Sequence, residues 1–156
     1  INQNWYFWFI SKEMRRLLYF TLSLIMITSC TLDSSDNGAL DGYWQLSSID
    51  TLANGHSVNM RDSGIFWAFN FNLLVTRSTK EPLGEILYDF ENTEDNLILS
   101  NPYILYRDSS DIKVTDVNLL KKYGVNSLLE SFTIQYLNSN KMALQSNMLR
   151  LNFKKY

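Results

Sequence analysis

Chemistry near neutral pH is sought first at histidine and cysteine, and this chain has one of each, His56 and Cys30. A catalytic histidine needs a nucleophile or a carboxylate within hydrogen-bond reach. His56 lies in Asn54-Gly55-His56-Ser57, a turn sequence, and reads as a solvated turn residue. One histidine and one cysteine exclude the common multi-histidine and multi-cysteine metal sites and an internal disulfide. Asp108, Asp111 and Asp116 form an acidic group, but the glycine and terminal glutamate of a calcium loop are missing. Glu94-Asp95 reads as a hairpin turn. No G-x-S-x-G, Walker A or H-E-x-x-H motif is present. The expectation is a protein with no catalytic residues, no metal site and no cofactor. Lys and Arg number 14 against 16 Asp and Glu, net −2, so a basic nucleic-acid surface is not indicated.

The elements that position the remaining candidates begin at the N-terminus. Met14-Arg15-Arg16 is basic, Leu17 to Ile27 is apolar apart from Thr21 and Ser23, and Thr28-Ser29-Cys30 follows. That order describes a secretory signal peptide over 14–29. The apolar run is shorter than the about 20 residues that a membrane-spanning helix needs. Residues 1–13, rich in aromatics from Trp5 to Phe9, precede the basic run. They read as sequence upstream of a start at Met14, with a short membrane-surface segment as the alternative. Residues 30–39 are a polar, Ser/Asp/Asn-rich tether. The folded domain is expected over 40–156, long enough to bury one proper core.

Within that domain, alternation with period two dominates. In Ile65–Thr76, the residues Ile65, Trp67, Phe69, Phe71, Leu73 and Val75 fall on one face, opposite Phe66, Ala68, Asn70, Asn72, Leu74 and Thr76. Ile86, Tyr88 and Phe90 alternate with polar neighbours, as do Phe132, Ile134 and Tyr136, and Leu149, Leu151 and Phe153. Shorter strands are predicted at Tyr43–Ile49, Ser57–Arg61, Leu97–Ser100, Tyr103–Arg107, Ile112–Thr115 and Met142–Ser146. Pro82 and Pro102 are expected in connections. One helix of two turns is predicted from a cap at Asp116 to a C-terminal Gly124, with Val117, Leu120 and Tyr123 on one face. Ser127 and Glu130 have capping-box spacing for one more turn. The class is all-β: an antiparallel barrel or sandwich of about eight strands with one short helix.

Two resemblances sharpen this. Ile27-Thr28-Ser29-Cys30 looks like the lipobox of bacterial lipoproteins, which implies cleavage before Cys30 and lipid attachment to it. A cleaved but unlipidated signal, or a buried strand ending in a free Cys30, are the alternatives. Gly42-Tyr43-Trp44, opening the first strand, resembles the G-x-W signature of lipocalins. The wider pattern from 40 to 156 is similar to small lipocalin-like lipoproteins of Gram-negative bacteria. The resemblance implies a lipocalin-like antiparallel β-barrel and a cell-envelope location, lipid-anchored in the outer membrane. It also implies that Trp44 packs across the closed end beneath a basic residue of the last strand, for which Arg150 and Lys154 are candidates.

The aromatic stripe then has two readings. Trp67, Phe69, Phe71, Tyr88, Phe90 and Tyr136 are the expected lining of a pocket for a small hydrophobic ligand, which makes the chain a binding module. Alternatively they fill the barrel, and the chain is a structural or interaction lipoprotein whose outer surface binds an envelope protein or a glycan. Phe66 and Leu74 are expected in an exposed apolar patch under the second reading.

Overall fold

A computed structural model describes residues 12, 14, 16, 17, 19, 35, 37–81, 84–106 and 109–156. The chain divides into two units, 1–34 and Ser35–Tyr156. In the first, the described residues Lys12, Met14, Arg16, Leu17 and Tyr19 are helical. Cys30 and most of the expected signal peptide lie outside the described residues, as do Pro82 and Asp108. Among the described residues no helix is long and apolar enough to cross a membrane.

The second unit is built from strands β1 Gly42–Thr51, β2 Ser57–Asn59, β3 Ile65–Asn70, β4 Leu73–Ser78 and β5 Ile86–Asn92. They continue with β6 Asn96–Ile104, β7 Ile112–Lys113, β8 Glu130–Leu137, β9 Lys141–Gln145 and β10 Leu149–Lys155. One short helix, α1 Asn118–Lys121, lies between β7 and β8. The antiparallel order is β10-β9-β8-β6-β5-β4-β3-β1, and β10 pairs with β1 to close the ring into an eight-stranded lipocalin-like barrel. β2 and β3 lie along the same edge of β1, with the 3₁₀ turn Arg61–Ser63 between them. β7 adds to β6 alone. Closure leaves the ring strands no free edge.

The long alternating run 65–76 folds as a hairpin, not as one strand. Phe71 and Asn72 form its two-residue turn, with Phe71 in the left-handed region at φ 53°. Reversal pairs Phe69 with Leu74, so the inward set switches from odd to even residues. Leu74 and Thr76 are therefore buried, while Leu73 is exposed. Leu74 is thus core and not surface patch. Phe66 faces outward and packs edge-on against Tyr156 at 5.3 Å.

Three further expectations change. Pro102 lies inside β6, beside Asn101 at φ 48°, where the register with β5 shifts; a bulge tolerates the missing N–H. The helix is one turn, with Asp116 Oδ1 accepting the Asn118 N–H at 2.9 Å. Ser127–Glu130 makes no helix. Instead Glu130 opens β8, and its Oε2 accepts the Asn126 N–H at 2.9 Å.

Candidate functional site

Four of the six expected lining residues meet in the barrel interior. Trp67 and Phe69 project from β3, and Tyr88 and Phe90 from β5. Trp67 sits at the centre, with ring centroids 5.0 Å from Phe153, 5.9 Å from Phe132 and 6.2 Å from Phe69. Phe69 meets Phe90 edge-on at 5.3 Å. Such tilted and edge-on pairs are favoured by the aromatic quadrupole.

The segment from Val114 to Val125 enters the same interior. Val114, Leu120, Tyr123 and Val125 are buried. The Trp67 indole N–H donates to the Tyr123 carbonyl at 3.2 Å, and the Tyr123 hydroxyl donates to the Gly84 carbonyl at 2.8 Å. Gly124, at φ +86°, runs so close to β10 that a Cβ there would stand 2.7 Å from Leu151. Trp67, Leu120, Tyr123, Val125 and Phe132 have 0% exposure. A void large enough for one water would have exposed them, so the chain itself occupies the space around them.

Phe71 and Tyr136 lie elsewhere. Phe71 is 49% exposed at the hairpin tip, because the turn takes it out of the alternation. Tyr136 is 49% exposed because β8 shifts register between Ile134 and Tyr136, which turns Leu137 inward instead. Neither joins the interior group.

The interior retains some polar atoms. The Thr76 and Tyr88 hydroxyls are buried within reach of one another, and neither has a partner at full hydrogen-bond geometry. Burial pushes the Tyr88 phenol well above its ordinary range. At the mouth of β8, burial raises the Glu130 carboxyl, against donors from Asn126, Ser127 and Ser146 that lower it.

The G-x-W residues build one end of the barrel. Trp44 is fully buried, and its indole N–H donates to the Leu40 carbonyl at 2.7 Å. The basic residue over its ring is Lys155, with Nζ 4.9 Å from the centroid. Neither Arg150 nor Lys154 takes that place. Alternation along β10 turns both outward, where Arg150 donates to Gln145 at 2.9 Å. Gly42, at φ +107°, leaves room for the lysine stem: a Cβ would stand 3.1 Å from Lys155 Cε.

Of the residues considered for chemistry, His56 is exposed in the β1–β2 turn, and its backbone N–H donates to Asn54. Asp111 accepts the Tyr106 N–H, and Asp116 belongs to the helix start. Glu94 and Asp95 are exposed in the β5–β6 hairpin. Among the described residues, no three His, Cys, Asp or Glu side chains group to hold a metal.

Two outer-surface features escape a reading from sequence. Tyr43, Ala68, Val75, Leu87 and Tyr103 pair in register across five strands, an apolar row on the outside of the barrel. With Phe71 and Leu73, most of this row lines a hollow of about 610 Å³. A second groove of about 500 Å³ crosses β2, β1, β10 and β9 and holds Arg61, Lys141 and Lys154. The row's only sequence signal is the apolar character of both faces of 65–76. The groove draws its cations from segments far apart in the chain.

A family model described as a lipocalin-like domain matches residues 24–156. Among solved structures, a lipocalin-like protein from Bacteroides uniformis ATCC 8492 is similar, with a TM-score of 0.59 at 18% identity. That match covers 76% of this chain and 100% of the other. An uncharacterized protein from Bacteroides eggerthii DSM 20697 is similar with a TM-score of 0.54 at 17% identity, over 74% of this chain and 98% of the other. At these identities the likeness shows the fold. No curated protein matches the chain.

Proposed function

From the premise that the chain belongs to the lipocalin-like domain family, we propose that it is an interaction module of the cell envelope that works from the outside of its barrel. In this reading it is no carrier and has no catalytic role. The carrying observation is the burial at the barrel's aromatic centre: Trp67, Tyr123 and Phe132 are completely buried, and the 114–125 segment is bonded through Tyr123 to Trp67. An apolar ligand would have to displace both the aromatics and that segment. The apolar row from Tyr43 to Tyr103 supports an outer working surface, since contiguous exposed apolar patches mark sites of association. The partner is another macromolecule of the envelope.

The reading includes a lipid on Cys30 and membrane anchoring through it, supported by the basic run, apolar run and Ser29-Cys30 order. Acyl chains contribute roughly 0.8 kcal/mol per buried CH₂, so two or more hold a protein stably at a membrane.

Titration of the purified chain with a fluorescent fatty acid tests the filled barrel. No saturable binding is expected. Saturable one-to-one binding that quenches tryptophan emission would overturn the reading in favour of a carrier. Cys30→Ser is expected to release the protein from the membrane fraction, and its continued anchoring would sink the lipidation.

A further inference from the structure

We infer that the outer groove across β2, β1, β10 and β9 binds an anionic saccharide. The groove owes its shape to two coincident irregularities. β1 shifts register between Leu46 and Ser48 against β10, and the 3₁₀ turn Arg61–Ser63 interrupts the neighbouring edge. The Met60 N–H donates to the Ser47 carbonyl at 2.8 Å, and the Gln45 amide donates to the Arg61 carbonyl at 2.9 Å, tying the two together. Bulges of this kind re-aim side chains.

Arg61, Lys141 and Lys154 line the result. Lys141 and Lys154 are direct cross-strand partners, a placement that costs stability in the free protein. Two ion pairs lie outside the groove: Lys122 meets Glu81 at 2.6 Å, and Arg77 meets Glu85 at 4.0 Å. Among the described residues, none of the three groove cations has an ion-pair partner. Asp50, at the rim on β1, accepts from Ser57 and from Asn152, and Asp62 follows Arg61 in the 3₁₀ turn. A chain of net −2 thus gathers three uncompensated cations in one hollow. A bound anion relieves their repulsion through charge-assisted hydrogen bonds.

The polar groups select a saccharide. Asn152 donates its amide N–H groups to Ser48 Oγ and Asp50, which leaves its carbonyl oxygen to accept. Asn59 accepts the Arg61 N–H, which leaves its NH₂ to donate. Sugar hydroxyls satisfy both kinds of group. A single-stranded nucleic acid would stack its bases on exposed aromatic faces, and Phe153, the groove's aromatic, is buried.

The inference deepens the outer-surface reading and rests on it. The full chain is titrated calorimetrically with tetragalacturonate, a chondroitin sulfate tetrasaccharide, the neutral methyl ester of the first, and hexaglutamate. Saturable binding of at least one acidic saccharide is expected, weakening with salt. Binding of the neutral ester should be at least about ten-fold weaker, the loss expected for one charge-assisted contact. Arg61→Gln and Lys154→Gln should each lose about ten-fold while the unfolding midpoint holds. Asn152→Ala should weaken saccharide binding and leave hexaglutamate unaffected. Absence of binding by both acidic saccharides, equal binding of the neutral ester, or tighter binding of hexaglutamate would overturn the inference. The fatty-acid titration is a separate readout: a carrier result there fells the filled barrel whether or not the groove binds sugar.

Discussion

Lys155 and Trp44 face each other across the seam that closes the barrel, with the ammonium 4.9 Å from the indole centroid and 3.0 Å from the Ala39 carbonyl. One side chain therefore joins the last strand, the first strand and the 3₁₀ turn Gly38–Leu40 before it. Lys155→Ala should lower stability by about 1–2 kcal/mol in chemical denaturation, and Lys155→Arg should keep most of it. An alanine variant as stable as the parent would mean that the Leu40 carbonyl alone holds the indole.

Gly124 and Gly55 both have positive φ, but only Gly124 is crowded. Gly124→Ala combines backbone strain with a clash on Leu151 and should cost about 3 kcal/mol. Nothing lies within 4 Å of a Cβ at Gly55, so Gly55→Ala should cost about 1 kcal/mol. Equal midpoints for the two variants would mean that the 114–125 segment does not press against β10.

Tyr88 and Thr76 bury neighbouring hydroxyls that make no bond of full geometry. Removing such a group removes a desolvation cost, so Tyr88→Phe should be neutral or stabilising by about 1 kcal/mol. A clear destabilisation would reveal a hydrogen bond between them in solution.

Glu130 links stability to pH. Burial holds its folded-state pKa above the ordinary value of 4.5. Between the unfolded and folded values the folded chain retains more protons, so stability falls as pH rises through that window and levels off above it. Glu130→Gln should flatten this part of the profile in melts taken across pH 4 to 8, a range set by the reference carboxylate of about 4.3. An unchanged slope in the variant would assign the effect to another group.

Phe71 holds φ 53° with its ring exposed, a costly choice for a bulky residue. Phe71→Asn should raise stability by about 1 kcal/mol in thermal melts. No gain would mean that ring contacts offset the strain.

Much of the barrel was legible because alternation is a strong signal wherever one face is buried. Alternation alone groups Trp67, Phe69, Tyr88 and Phe90 on inward faces. The errors cluster where parity changes. Phe71-Asn72 lacks the glycine that marks a tight turn, so the reversal at 71–72 leaves no trace and alternation alone puts Leu74 on the wrong face. The bulge after Ile134 moved Tyr136 outward in the same way. Lys155, rather than Arg150 or Lys154, covers Trp44 because inward and outward positions differ by one residue. The 114–125 segment was recognisable as helix and turn, but its entry into the barrel depends on a partner as distant as Trp67. The groove cations were beyond reach, since only the closed ring brings Arg61 beside Lys141 and Lys154.

The pairing of β1 with β10 also governs how the chain acquires its fold. The seam runs from Trp44↔Lys155 to Thr51↔Leu149, so the first strand waits for the last before either is complete. Contacts this far apart in sequence carry a high loop-closure entropy and make folding slow. Late closure therefore leaves the apolar strand faces open for longer than in a protein of local contacts, and exposure to aggregation is greatest before β10 docks.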